Sequence, residues 1–277
     1  MNTQEPDMQP LDSDEMEKVE ELKPVQSTVI FEAIRQEGEH ELSRSAKALW
    51  WSGVAAGLAI STSVMAKGFL VAILPDAEWS KAVSSLGYTL GFLIVILARM
   101  QLFTENTITP VLQLFLSPTR KNFWLTGRLW LIVFCANLAG CFVAALFMAT
   151  ADLVPPKQFD GILEVSRAYA SATAMEHFRW GILAGFLIAA LVWILPRMEG
   201  AGEVLMIIII TYTISLGGFS HVVAGSTELF ILVLLGELDL TQAFVGGIMP
   251  ALFGNIVGGT CLFAAMTYAQ LREELKS

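Results

Sequence analysis

Residues 216–230 read LGGFSHVVAGSTELF. The run VLMIIIITYTIS stands before them at 204–215, and FILVLLG overlaps and follows at 230–236. The flanks are apolar enough for one membrane span, yet the middle holds Gly217, Gly218 and Gly225, the hydroxyls of Ser220, Ser226 and Thr227, the imidazole of His221 and the carboxyl of Glu228. Glycine lets a chain leave helical geometry at little steric cost. Interrupted backbone is tolerated at membrane depth only inside protein or beside water. An ionisable side chain there marks a pathway more often than a packing accident. The stretch therefore predicts a span broken at its middle, with a titratable ring at the break.

The rest of the chain agrees with a membrane setting. Of 277 residues 55% are hydrophobic and 16% charged, with mean hydropathy +0.60. A soluble domain carries far more charge. A hydrocarbon core about 30 Å thick needs about 20 apolar residues in a helix, and six stretches qualify, near 49–74, 83–116, 124–150, 178–196, 204–235 and 243–270. The second and fifth are too long and contain polar interruptions; the second breaks at LFTENTITP, 102–110. Residues 151–177 read as a longer polar connection. The net charge of −9 lies mostly in the first 41 residues, so the acidity describes a tail and not a substrate. No cleavable signal peptide is visible in that polar start. Cys135, Cys141 and Cys261 lie in apolar runs and read as small packing residues.

Lys and Arg near the span ends fix the expected orientation. Arg44, Lys47, Arg120, Lys121, Arg128, Arg197, Arg272 and Lys276 gather on one side, which should be cytoplasmic, with both termini. Lys81, Lys157, Arg167 and Arg179 share the other with Asp76, Asp152, Glu237 and other acids. Residues 1–45 are expected to be an acidic tail and an amphipathic helix on the inner face, 46–270 the membrane domain and 271–277 a cytoplasmic tail.

The two halves repeat small motifs in one order. GVAAG (53–57) matches GILAG (181–185), the Thr-Glu of FTENT (103–107) that of GSTEL (225–229), and NLAG (137–140) NIVG (255–258). Three spans per half make the second half enter from the opposite side, which is an inverted repeat typical of transporters and channels. On this matching Glu228 is the partner of Glu105.

LFTENT, GGFSHVVAG, FCANLAG and FGNIVGG, in this order and spacing across roughly residues 30–270, resemble the formate/nitrite transporter family, and within it the YfdC-like inner-membrane branch. The resemblance implies an all-α, aquaporin-like membrane fold with helices 2 and 5 broken, a pentamer with one pore per protomer in a bacterial inner membrane, and passage of small monovalent anions such as formate or nitrite. No cofactor is implied. Carried over by position, His221 is the central histidine and Thr104 the loop threonine facing it. Tyr88, Phe92 and Ile214 fall at one constriction, Leu102 and Phe103 at the inner gate. Asn137 and Asn255 are read as structural residues bonding backbone near the breaks. Glu105 and Glu228 either tether the loops or tune selectivity, and Arg99 pairs with one of them or reaches the inner surface. The family often has an asparagine where Gly185 stands, and a loop lysine for which Arg167 is the nearest match.

The chemistry follows from desolvation. A bare anion loses hydration worth many kcal/mol in a low-dielectric pore. Helix ends and loop amides offer donors, and an imidazole titrating near 6.5 can supply charge or a proton. A proton given to a weak-acid anion lets the neutral acid cross apolar constrictions. Two other readings stand beside this one: a neutral-solute or water channel, although neither break carries the aquaporin Asn-Pro-Ala, and a membrane sensor or assembly subunit with a vestigial pore. No nucleotide loop, metal cluster or nucleophile–base motif points to an enzyme. His40 and His177 read as needing no role.

Overall fold

A computed structural model describes Asp12, Met16 and residues 26–151 and 153–274. Most of the acidic tail, Asp152 and the final residues including Lys276 lie outside the described residues.

Every regular element described is helical. An amphipathic helix, α1 (Ser27–Ser43), precedes α2 (Ala46–Ile73) and α3 (Ser80–Leu97). An irregular stretch, 98–104, leads through a 3₁₀ turn at Glu105–Thr107 to the short α4 (Thr109–Leu116). Then come α5 (Arg120–Thr150), α6 (Pro156–Ala170), α7 (Ala174–Arg197), α8 (Ala201–Gly217), α9 (Val222–Leu234) and α10 (Gln242–Glu274). Five of these helices are long and apolar enough to cross a membrane; counting α8 and α9, bent by 49° at their break, as one span gives six. Two π-helical stretches, Gln242–Ile248 and Val257–Ala264, loosen α10 on either side of Asn255.

Helix association in lipid depends on close packing of small residues more than on apolar burial. A Cβ on Gly57 would stand 2.2 Å from the carbonyl oxygen of Asn137, and one on Gly140 2.2 Å from that of Val54, so α2 and α5 touch backbone to backbone. The pair α7 and α10 crosses in the same manner: a Cβ on Gly185 would lie 2.2 Å from the oxygen of Asn255, and one on Gly258 2.0 Å from that of Ile182. Gly185 is thus a crossing residue with no room for a larger side chain. Large apolar side chains such as Trp51, Trp124, Leu131, Val245 and Met266 face outward, where lipid or a neighbouring chain can cover them.

The connection read as polar, 151–177, contains α6. Proline at its first turn suits a helix start, and Gly161, Ile162, Val165 and Ser166 form its buried face. A Cβ on Gly161 would meet the carbonyl oxygen of Gly68 at 2.1 Å, so α6 lies directly on α2. On the other side of the molecule α1 lies on α4 in the same way, with Gly38 against the oxygen of Thr109 and Ile30, Phe31 and Ile34 buried beside Val111 and Leu112. Of the cysteines, Cys141 is buried, while Cys135 and Cys261 are exposed.

Candidate functional site

The irregular stretch after α3 and the break between α8 and α9 are each held by one asparagine. Asn137 on α5 accepts from the Phe103 amide at 2.9 Å and donates to the carbonyls of Gly53 (2.8 Å) and Gln101 (2.9 Å). Asn255 on α10 accepts from the Val222 amide at 2.9 Å and donates to Gly181 (2.9 Å) and Ser220 (2.8 Å). A primary amide has one acceptor oxygen and two donor hydrogens, and both residues use all three, two on backbone of an interrupted stretch and one on a carbonyl inside a helix, Gly53 or Gly181. These bonds correspond residue for residue, Gly53 to Gly181 and Phe103 to Val222. That register does not superpose Thr104-Glu105 on Thr227-Glu228, so the reading of Glu228 as the partner of Glu105 is corrected. The shared dipeptide is a coincidence of small polar residues near two breaks.

Between the breaks Thr104 meets His221. The Thr104 hydroxyl oxygen lies 2.8 Å from His221 Nε2. Gly218, at φ 69°, ends α8 in the left-handed region that glycine adopts without strain. Three residues on, His221 caps α9: its Nδ1 accepts from the Ala224 amide at 3.3 Å. A ring nitrogen that accepts carries no proton, so the neutral ring bears its hydrogen on Nε2 and directs it at Thr104. The Phe92 ring stands edge-on to the imidazole at 4.9 Å, and Tyr88 follows at 5.4 Å from Phe92. Phe92, Ile214, Thr104 and His221 are fully buried, Leu102 nearly so.

The other candidates spread out. Phe103 packs edge-on against Trp130 (5.8 Å) and Phe134 (5.2 Å) of α5. Arg99 sits at φ 50°, the one positive φ among described non-glycine residues, and its largely exposed side chain reaches 3.9 Å from Glu37 of α1. It pairs with neither Glu105 nor Glu228, so of its two expected roles only the surface one holds. Glu105 lies in the 3₁₀ turn with its Oε1 buried and unpartnered. Glu228 is two turns along α9 from His221. Arg167 is held by Glu237 through two bonds of 2.6 and 2.8 Å, which keep that carboxyl below its ordinary range. It does not stand in for a free loop lysine.

A cavity of about 880 Å³ opens on the α6 side, with Lys67, Tyr88, Tyr169, His177, Ile214 and Glu228 in its wall. His177 was passed over in the sequence because its neighbours are polar, yet it is buried, with Nδ1 3.0 Å from the Ser220 hydroxyl and its ring 4.6 Å from that of Tyr169. Its spacing from Gly181, one turn along the same helix, was the available signal. On the α1 side, Glu41 reaches up from α1 to accept from the Gln101 amide, and Gln101 in turn accepts from Asn106 at 3.1 Å. Burial pushes the Glu41 carboxyl above its ordinary range, opposed by the Gln101 bond and by Arg44.

Comparison with known proteins agrees with this architecture. The family model described as "Formate/nitrite transporter" matches residues 28–269. The chain is 40% identical over 258 residues to the inner membrane protein YfdC of Escherichia coli K12, covering 93% of this chain and 83% of the relative. Two solved structures share the fold. One, an FNT family ion channel, has a TM-score of 0.76 at 20% identity and covers 88% of this chain and 99% of its own. The other, a pentameric formate channel with formate bound, has a TM-score of 0.70 at 19% identity and covers 82% and 98%. The described chain is an all-helical membrane protein of transport type and not an enzyme, and it belongs to the formate/nitrite transporter family.

Proposed function

We propose that this chain is a channel or transporter for small monovalent anions of the formate or nitrite kind, that it works as a pentamer, and that the Thr104–His221 pair is the polar centre of each protomer's pore. The observation that carries this is the 2.8 Å contact itself. It joins two helix interruptions from different halves of the chain, directly beside the Phe92 ring. An arriving anion can take the Nε2 hydrogen, the Thr104 hydroxyl or both, and the amino-terminal end of α9 adds partial positive charge beside the ring. A ring that first takes a second proton on Nδ1, giving up the Ala224 bond, can pass its Nε2 proton to a weak-acid anion and return to the neutral form, so that the acid moves on past the inner apolar residues uncharged.

The same reading makes the six spans two inverted three-helix repeats, each preceded by a surface helix, α1 for the first and α6 for the second. The matching asparagine bonds and the matching glycine crossings support that arrangement. The Lys and Arg bias puts α1 and both termini in the cytoplasm and the Lys67 cavity outside. The pentamer is carried over from the related formate channel, and the bacterial inner membrane from the related YfdC.

Flux into proteoliposomes tests the proposal. Purified protein should admit formate or nitrite and leave glycerol outside, and His221→Asn should reduce anion flux at least about tenfold and change its pH dependence. Wild-type flux and pH profile in that variant would remove the histidine from the mechanism; glycerol or water flux alone would favour a neutral-solute channel.

A further inference from the structure

The outer cavity ends on groups that the Thr104–His221 pair does not use. Glu228 is only 4% exposed, lines the cavity and makes no hydrogen bond to the described residues. Lys67, from α2, lines the same cavity with its Nζ 5.7 Å from the centre of the Tyr88 ring. The two side chains interact electrostatically without a direct ion pair. A buried carboxyl and an ammonium, neither fixed by a hydrogen bond or direct ion pair to the described residues and both open to one water-accessible space, cost stability. Residues that break the packing rule in this way mark function.

We propose that Glu228 and Lys67 form an acceptance site for a small monocarboxylate in the outer cavity, with Lys67 holding the anion and Glu228 giving it a proton ahead of the apolar constriction at Phe92 and Ile214. The O–H bond of the Glu228 carboxyl breaks, a new O–H bond forms on the substrate carboxylate, and Glu228 regains a proton from outside water. Proton exchange between two carboxyl groups is nearly even in energy, since both titrate at about 4 in water. Anions of strong acids, nitrate for example, cannot accept the proton and stop at Lys67. The cavity is many times the roughly 30 Å³ that one water occupies, so a one- to three-carbon acid fits with part of its hydration.

Glu228 is faced from each element around it. Lys67 comes from α2, Tyr88 from α3, Tyr169 from α6 and His177 from α7, while Lys81, Asp76 and Glu164 stand at the exposed rim of the cavity. From α5 the titratable neighbour is the Cys141 thiol, 3.3 Å from the Val223 carbonyl, and the part of α10 against α9 is uncharged. Lys67 is the near cation, which is why the two residues are assigned as a unit.

This site rests on the anion-transport reading, and the test separates the two. Formate, lactate and nitrate influx is measured in proteoliposomes across external pH values, with oligomer integrity checked by size exclusion. Wild-type protein should carry formate and lactate faster at acid external pH. Glu228→Gln should cut that flux about tenfold and flatten the external-pH profile, and Glu228→Asp should restore both in part. Lys67→Met should raise the KM for formate several-fold while altering the maximal rate less. It also decides the matter if the glutamine variant does not assemble. Glu228→Gln with wild-type rate and pH profile, or Lys67→Met with an unchanged KM, overturns the site and leaves the channel reading intact. Wild-type protein that carries no weak acid overturns the channel reading itself.

Discussion

Thr104 Oγ1 and His221 Nε2 stand 2.8 Å apart although 117 positions separate them in the chain. Each belongs to a helix interruption, and neither has another hydrogen-bonding side chain at that atom among the described residues. The contact is therefore a latch between the halves of the protein, and under the function proposed above it is also the first polar group a permeating anion meets beyond Phe92. Thr104→Val keeps the shape and removes the hydroxyl. It should lower anion flux about tenfold while costing about 1–3 kcal/mol of stability, since the buried Nε2 hydrogen of His221 is left unpaired. Flux and thermal unfolding measured together check this; a variant with lowered stability and unchanged flux would make the contact a latch only.

Asn137 and Asn255 are expected to behave alike. Each satisfies one amide and one carbonyl of an interrupted stretch and adds a bond to a carbonyl inside a neighbouring helix, Gly53 or Gly181. Substitution by alanine leaves the loop amide and the loop carbonyl of each break unpaired, at about 1–3 kcal/mol each before relaxation. Asn137→Ala and Asn255→Ala should each lower the unfolding temperature in detergent by a similar, large amount. If one variant is tolerated and the other abolishes assembly, the two positions are not equivalent and the inverted-repeat proposal loses its main support.

Much of this site could be read from the chain. Gly217, Gly218 and His221 announce a break because glycine and a titratable ring are costly inside an apolar span, and Asn137 and Asn255 stand out for the same reason. What the chain conceals is the side each partly polar segment presents. The helix α6 carries Lys157, Asp160, Glu164 and Arg167 outward, and only packing on α2 shows that Gly161, Ile162 and Val165 are its inner face. His177 sits in a polar stretch and is buried because Tyr169 and Ser220 close over it. Arg99 lies within an apolar run, yet the chain turns at that residue and delivers its side chain to Glu37. The Thr-Glu repeat misled because two similar dipeptides outweighed the asparagine register until bonds could be compared.

Gly185 gives a sharper test of the crossing between α7 and α10. A Cβ there would sit 2.2 Å from the Asn255 carbonyl oxygen, and that atom is backbone, which cannot swing aside. Gly185→Asn, the residue type common in the family at the matched position, should separate the helices, strain the Asn255 bonds to Ser220 and Val222 and cost about 1–3 kcal/mol or more. Reduced yield of folded oligomer with lowered melting temperature is expected. An unchanged variant would show that this crossing has slack which the structure does not contain.

Glu41 couples α1 to the first break and should make that docking depend on pH. Its carboxyl is buried against Gln101, and burial raises its pKa above the unfolded value. The sign follows from linkage: a group that holds its proton more tightly when docked contributes its full share below the ordinary carboxylate range. That share is lost as pH rises through the raised value. Acidification should therefore tighten α1 on the loop at 98–104, and alkalinisation should loosen it. Gln at position 41 mimics the protonated acid, so Glu41→Gln should hold α1 equally well at both extremes. Limited proteolysis within α1, with cleavage rates corrected for the protease's own pH profile, reads the effect. Protection that grows with rising pH, or a glutamine variant that keeps the wild-type pH dependence, would place the titrating group elsewhere than Glu41.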